Sequence, residues 1–247
     1  MGIRHLRNGS PEFLHSLNFF KYGSSVWDLK LPFIYNKALK IGPVDILHCH
    51  FGSNGIIGAH LKRLGFCKKL VVTFHGLDVS KVILTKKKSK IYKDLFDQAD
   101  LILPISNLWR EALVSAGAPK QKTFVHHLGG VDVDHIPTKV QKTIASPKIR
   151  TITTARFTEK KGLPVALRGL LSTQHSGTPE LIENGHSGIL VEERNHHQLA
   201  DAIIRLAKCH KLRNQLAYNG RKTIEQDFNA NKQNKGLIDL YKQILTS

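Results

Sequence analysis

The sequence is short of acid, of sulfur and of long apolar runs. Nineteen Asp and Glu stand against 37 Lys and Arg, so the 247-residue chain carries a formal charge of +18 with its histidines neutral. Such an excess favours polyanionic partners, whether nucleic acid, anionic lipid headgroups or phosphorylated substrates, without choosing among them. Cys49, Cys67 and Cys209 show neither CxxC spacing nor an even count, which argues against a disulfide framework and a zinc knuckle and leaves reduced thiols. No stretch approaches the roughly 18 uninterrupted apolar residues of a membrane span. The N-terminus has no apolar run of the secretory kind, and the expected address is the cytosol. With 41% apolar and 23% charged residues, the chain can bury a core, and its length suits one large domain or two small ones.

What is present is an alternation. Residues 1–13 are polar punctuation around Gly9-Ser10-Pro11 and are expected to be a disordered leader outside the fold. From Val44 onward, short apolar and β-branched runs predict strands at 44–48, 70–74, 101–105 and 123–126, with helices between them near 56–64, 89–98 and 108–116. This order predicts an α/β fold with a Rossmann-like parallel sheet over residues 14–145. Ser106 is the expected N-cap of the third helix and Gly117 its stop. Pro137 to Lys148 reads as a linker.

A second unit, residues 146–247, is expected to open with a strand at Ile149–Ala155, continue through a helix near 163–171 and reach another strand near 188–191. Helices follow, with apolar stripes at Leu199, Ile203 and Leu206 and at Leu237, Leu240, Tyr241 and Ile244. Two strands do not make an independent α/β sheet. The stripes around Leu199 and Leu240 are therefore expected to pack on the first unit, to pair with a second copy in a homo-oligomer, or to stay partly exposed.

Candidate chemistry gathers where strands end. His48-Cys49-His50-Phe51-Gly52-Ser53-Asn54-Gly55 passes from a strand to a helix, and small residues there let backbone N–H groups approach an anion. The glycines do not spell GxGxxG. His48 and His50 share a strand face, but no third residue is spaced to complete a metal site. Thr73-Phe74-His75-Gly76-Leu77-Asp78 closes the next strand, where a neutral His75 could bond a sugar hydroxyl or accept a proton and Asp78 could orient a polyol.

Four stretches, HCHFGSNG from His48, TFHGLDVS from Thr73, ARFTEKKGL from Ala155 and STQHSGTPELIENGHSGILV from Ser172, resemble the family-four retaining glycosyltransferases (glycosyl transferases group 1) of GT-B fold. They are similar in particular to the branch that makes colanic acid and amylovoran exopolysaccharides. LILPISNLWREAL from Leu101 and GGVDVD from Gly129 match in kind and order. The resemblance implies transfer of a sugar from a nucleotide-sugar to a lipid-linked or saccharide acceptor, with no metal and no cofactor beyond the donor. It implies that Arg156 and Lys161, in RxxxxKG spacing, hold the departing diphosphate, and that His75 contacts the transferring sugar or the acceptor as the catalytic residue. Gly52, Asn54, Gly76 and Asp78 complete the implied substrate-binding set.

The chain departs from the family in its second half. The text passes from Leu171 directly to Ser172 of the late segment, and no Glu is followed eight positions later by another Glu, the pair that would hold ribose and sugar. The family's early glycine-rich loop is missing as well. Weak or absent donor binding is therefore expected, and Glu180 behind Pro179 reads as a first-turn helix acid. The alternative is a catalytically dead remnant that binds membrane surfaces or polyanions. Between Lys62 and Lys93 ten Lys or Arg accompany one acid, Asp78, a patch suited to an anionic inner leaflet. Nucleic acid is disfavoured, because the basic stretch lacks the regularly interleaved aromatics of a stacking platform.

Overall fold

The computed structural model describes residues 18, 30–83, 89–136, 171–173 and 177–247. The chain divides into two compact units, Met1–His126 with Leu237–Ser247, and His127–Gly236. The first contains helix α1 (Lys30–Ile41), strand β1 (Val44–His50), α2 (Gly52–Arg63), β2 (Cys67–Phe74), α3 (Leu77–Ile83), α4 (Ser89–Gln98), β3 (Leu101–Pro104) and α5 (Asn107–Ser115). The strands form a parallel sheet in the order β1-β2-β3, with Val44 opposite Cys67 and Val71 opposite Leu101. The α/β class and parallel sheet are as the sequence predicts.

A parallel sheet is buried on both faces, and alternation along the strands decides which residue serves which face. Leu70, Val72, Phe74 and Ile102 join Ala59, Tyr92, Leu95, Phe96 and Leu113 in one core. Val71, Leu101 and Leu103 turn to the opposite face. That face is covered from the far end of the chain. Leu237, Leu240, Tyr241 and Ile244, at helical spacing in α9 (Ala230–Thr246), pack against it.

The expected fourth strand at 123–126 is reduced to one bridge, Ile102 to Thr123, with Phe124 N–H donating to Ile102 O and His126 N–H to Pro104 O. Pro104 has no N–H with which to continue the ladder. Ser106 caps α5 as expected by accepting from Trp109 N–H, and Gly117 ends the helix at φ +101°.

The second unit holds β4 (Leu171–Thr173), α6 (Thr178–Leu181), β5 (Ile189–Val191), α7 (His196–Lys208) and α8 (His210–Asp227). β4 and β5 are parallel, with Leu171 opposite Ile189 and Thr173 opposite Val191. Leu171, expected to close a helix, thus opens a strand, because pairing with β5 outweighs its helical preference. The expected strand 149–155, the helix over 163–170, the linker 137–148 and the leader 1–13 lie outside the described residues. Leu199 and Leu206 of the expected stripe are partly buried within the second unit, packed with Leu212 on Ile189, Val191, Ala202 and Leu216. Glu180 lies in the first turn of α6 beside Pro179, as expected.

Candidate functional site

β1 and β2 end side by side, and their pleats bring His48, His50 and Thr73 to the face that α9 covers. His48 Nδ1 lies 2.5 Å from Tyr241 Oη, and its Nε2 lies 2.7 Å from Thr73 Oγ1. One residue pair further along, beyond the cover, His50 Nδ1 is 3.1 Å from His75 Nε2. The His48 and His50 rings are stacked with centroids 4.7 Å apart. On its other side, His75 is stacked on Phe51 at 4.2 Å.

Phe51 is the hinge between strand and helix. Its φ of +70° is a conformation that residues with a Cβ rarely adopt, and such positions cost about 1–3 kcal/mol. The position is held by Phe51 N–H donating to Thr73 O and by Asn54 and Gly55 N–H donating to Phe51 O. Gly52 follows because nothing larger fits: a Cβ there would lie 2.6 Å from Phe74 Cε1 and 2.8 Å from Tyr92 Cε1. Asn54 donates from its side chain to His50 O at 2.8 Å, fastening the start of α2 to the end of β1.

Asp78 performs a different task from the one its position in the sequence suggests. One carboxylate oxygen accepts from Gly52 N–H at 2.8 Å, the other from His75 N–H at 3.0 Å. It therefore clamps the β1–α2 turn to the β2–α3 turn, and it places a negative charge at the N-terminus of α2, where the helix dipole favours it. Gly76, at φ +97° with Trp109 Nε1 only 2.6 Å from where its Cβ would be, lets the chain turn sharply between His75 and Asp78.

The geometry thus brings together His75, Gly52, Asn54, Gly76 and Asp78. Arg156 and Lys161 fall outside the described residues. Sequence reasoning missed Thr73 and Tyr241 as partners of His48 and Phe51 as partner of His75. The signals were the alternation that puts Thr73 on the His48 face and the polar tip of Tyr241 in an otherwise apolar stripe. Among the described residues, no group of three His, Cys, Asp or Glu side chains could hold a metal ion.

Part of the charge in the basic window from Lys62 to Lys93 is met by acids. Lys62 pairs with Asp100, Arg63 with Asp94, Lys68 with Asp45 and Lys93 with Asp97. Counting acids inside the window overlooked three aspartates just beyond it and Asp45 on β1. Lys86, Lys87 and Lys88 lie outside the described residues.

Burial, reinforced by the rings of His50, His126 and His75, holds the His48 pKa down at about 4. Burial and then His50 also lower His75, against an upward pull from Asp78. Both favour neutral imidazole at neutral pH. In the unfolded chain His48 titrates near 6.5, so below that pH the unfolded state binds the extra proton. The stability owed to neutral His48 is complete above pH 6.5, declines as the pH falls and is gone below about 4. The melting temperature should fall over this window, and His48→Gln should flatten part of the fall. Identical profiles for the two proteins would contradict the assignment.

Comparison with known proteins agrees with this architecture. Residues 5–135 match the family model of Glycosyltransferase Family 4, and residues 169–223 match that of Glycosyl transferases group 1. WcaL of Escherichia coli strain K12, named as a colanic acid biosynthesis glycosyltransferase, is 34% identical over 71% of this chain. AmsK of Erwinia amylovora, an amylovoran biosynthesis glycosyltransferase, is 34% identical over 68%. These matches span 44% and 41% of the two relatives, less than half their length. Salmonella typhimurium WcaL is 26% identical over 318 aligned positions, covering 93% of this chain and 78% of the relative. That alignment is longer than this chain, so the relative carries internal sequence with no counterpart here.

Among solved structures, a glycosyltransferase from Rickettsia africae superposes with a TM-score of 0.68 at 15% identity, over 88% of this chain and 80% of that one. Anabaena Alr3699/HepE, in complex with UDP and glucose, gives 0.61 at 14% identity, over 81% and 78%. The shared architecture is the GT-B type with Rossmann-like domains.

Proposed function

We propose that this chain, which belongs to glycosyltransferase family 4, transfers a sugar from a nucleotide-sugar to a lipid-linked or saccharide acceptor in bacterial exopolysaccharide biosynthesis. The observation that carries the reading is the histidine cluster at the carboxyl ends of β1 and β2, where open α/β sheets bind their ligands. Relatives named for colanic acid and amylovoran biosynthesis support a role in exopolysaccharide biosynthesis, and the UDP and glucose bound by HepE support the donor class.

In the reaction, the bond from the anomeric carbon to the diphosphate breaks and a bond from that carbon to an acceptor oxygen forms, with retention. His75 is the catalytic residue. Its lowered pKa leaves a neutral ring to accept a hydrogen bond or a proton. The fork of Arg156 and the point charge of Lys161 would hold the departing diphosphate, the side-chain equivalent of a metal clamp. With no glutamate pair to anchor ribose and sugar, donor affinity is expected to be micromolar or weaker.

Incubation with radiolabelled UDP- and GDP-sugars and a lipid-linked saccharide extract should label the lipid fraction. His75→Ala should reduce the rate about 100-fold or more. No transfer from any donor would overturn the transferase reading and leave the non-catalytic binding role. A submicromolar donor affinity by calorimetry would overturn the incomplete-pocket reading.

A cytoplasmic protein of this kind would work at the inner face of the membrane, and one observation favours attachment there. Phe33, Lys37, Lys40 and Ile41 are all exposed, follow i, i+4, i+7 and i+8 spacing on α1, and that helix contains three lysines and no acid. Lys37 Nζ lies 4.6 Å over the Phe33 ring. Basic charge beside apolar tips suits the headgroup region of an anionic leaflet. Among the described residues no helix is long and apolar enough to cross a membrane. Vesicles containing anionic lipid should sediment the protein at low salt and release it at high salt, and Lys37→Glu with Lys40→Glu should weaken the binding. Equal recovery on anionic and neutral vesicles would exclude this attachment.

A further inference from the structure

The stripe of α9 that covers β2 and β3 is apolar at Leu237, Leu240 and Ile244, and Tyr241 interrupts it with a hydroxyl. That hydroxyl meets His48 Nδ1 at 2.5 Å, while Thr73 Oγ1 meets Nε2 at 2.7 Å. A neutral imidazole has one N–H and one lone pair. Burial raises the Tyr241 pKa, so the phenol keeps its proton. A phenol is also a better donor than the threonine alcohol. Tyr241 O–H therefore donates to Nδ1, and Nε2–H donates to Thr73 Oγ1. The His48 ring is pinned at both nitrogens, in one tautomer and one plane.

That plane supports the rest of the cluster. His50 stacks on it with an interplanar angle of 22°, and His50 Nδ1 in turn reaches His75 Nε2 at 3.1 Å. We propose that Tyr241 is a positioning residue for His75: it fixes the His48 ring, and that ring sets the angle at which His50 meets His75. The inference rests on the transferase reading for the role of His75, but its geometry does not. His75 also faces Asp78 from α3, and His48 also faces His126. Neither group is altered by the substitution Tyr241→Phe itself.

Tyr241→Phe removes the one hydroxyl and keeps the ring that packs on the sheet. Ile244→Val loosens the same packing and leaves the hydroxyl. Protein labelled with ¹⁵N at histidine reports the tautomer of His48 at neutral pH and the midpoint of His75 on acidification. In wild type, His48 should show an Nε2–H tautomer with a hydrogen-bonded Nδ1. In Tyr241→Phe, that Nδ1 signal should move to the position of an unbonded nitrogen, and the His75 midpoint should shift. Ile244→Val should lower the melting temperature and leave both signals alone. Where wild type transfers sugar, Tyr241→Phe should lower kcat about tenfold or more with KM little changed, as misplaced catalytic groups do.

Unchanged His48 and His75 signals in Tyr241→Phe would overturn the proposal, whatever happens to its melting temperature. So would the same signal changes in Ile244→Val. Shifted signals in Tyr241→Phe, together with a wild type that transfers no sugar, would uphold the coupling of Tyr241 to His75 and remove the transferase reading instead.

Discussion

Deletion of Leu237–Ser247 should leave Met1–His126 without a stable fold. Val71, Leu101 and Leu103 are at most 1% exposed, and the cluster that covers them is completed by Ile244 from the terminal helix. Burying one such side chain contributes about 1.5–3 kcal/mol. Four together approach the whole stability of an ordinary domain, about 5–15 kcal/mol, even when extended-chain values are treated as upper bounds. The deletion also removes Tyr241 from His48. The shortened protein should bind a hydrophobic dye, exchange the β2 amides quickly and melt without a cooperative transition. A sharp transition within a few degrees of the full-length protein would show that the sheet does not need its distant cover.

Asp78→Ala should produce the second large effect, at one carboxylate rather than along a helix. Two backbone donors, Gly52 N–H and His75 N–H, lose their acceptor together. Hydrogen bonds to a charged group contribute about 1.5–3 kcal/mol each, and the half-buried setting puts the pair near the lower end, about 3 kcal/mol. The larger consequence is positional. The clamp joins the two turns that carry the site, and displacement of a catalytic group by about 1 Å can cost 100-fold in rate. Asp78→Asn keeps one acceptor oxygen and should fall between wild type and alanine in both urea denaturation and transfer. An alanine variant as stable and as active as wild type would refute the clamp.

How much of this could be read in the sequence depends on the range of the forces involved. β1, β2 and β3 were legible because buried parallel strands need short runs of residues such as Leu70-Val71-Val72 or Leu101-Ile102-Leu103. The start of α2 was read at Ile56 rather than Gly52, since glycines argue against a helix until Phe74 and Tyr92 are seen pressing on it. Leu171 was misread because a three-residue strand is defined by its partner, β5, and not by its own text. His75 and Asp78 were found by their place at a strand end. The clamping role of Asp78 depends on Gly52 in another turn. Tyr241 stood in the right stripe, yet its partner His48 lies 193 residues away. Three bases of the basic window, Lys62, Arg63 and Lys68, meet Asp100, Asp94 and Asp45 through pairing across the fold, whereas Lys93 meets Asp97 one helical turn on.

The return of the chain's end to its first sheet also bears on how the protein is made. A ribosome adds about 5–20 residues per second, so between the synthesis of Leu103 and of Leu237 roughly 7–27 seconds pass with Val71, Leu101 and Leu103 lacking their cover. The nascent chain must keep that apolar face from neighbouring polysomes, a task suited to a holding chaperone. A product of premature termination before Leu237 would lack the Ile244 that completes the cluster over Val71, Leu101 and Leu103.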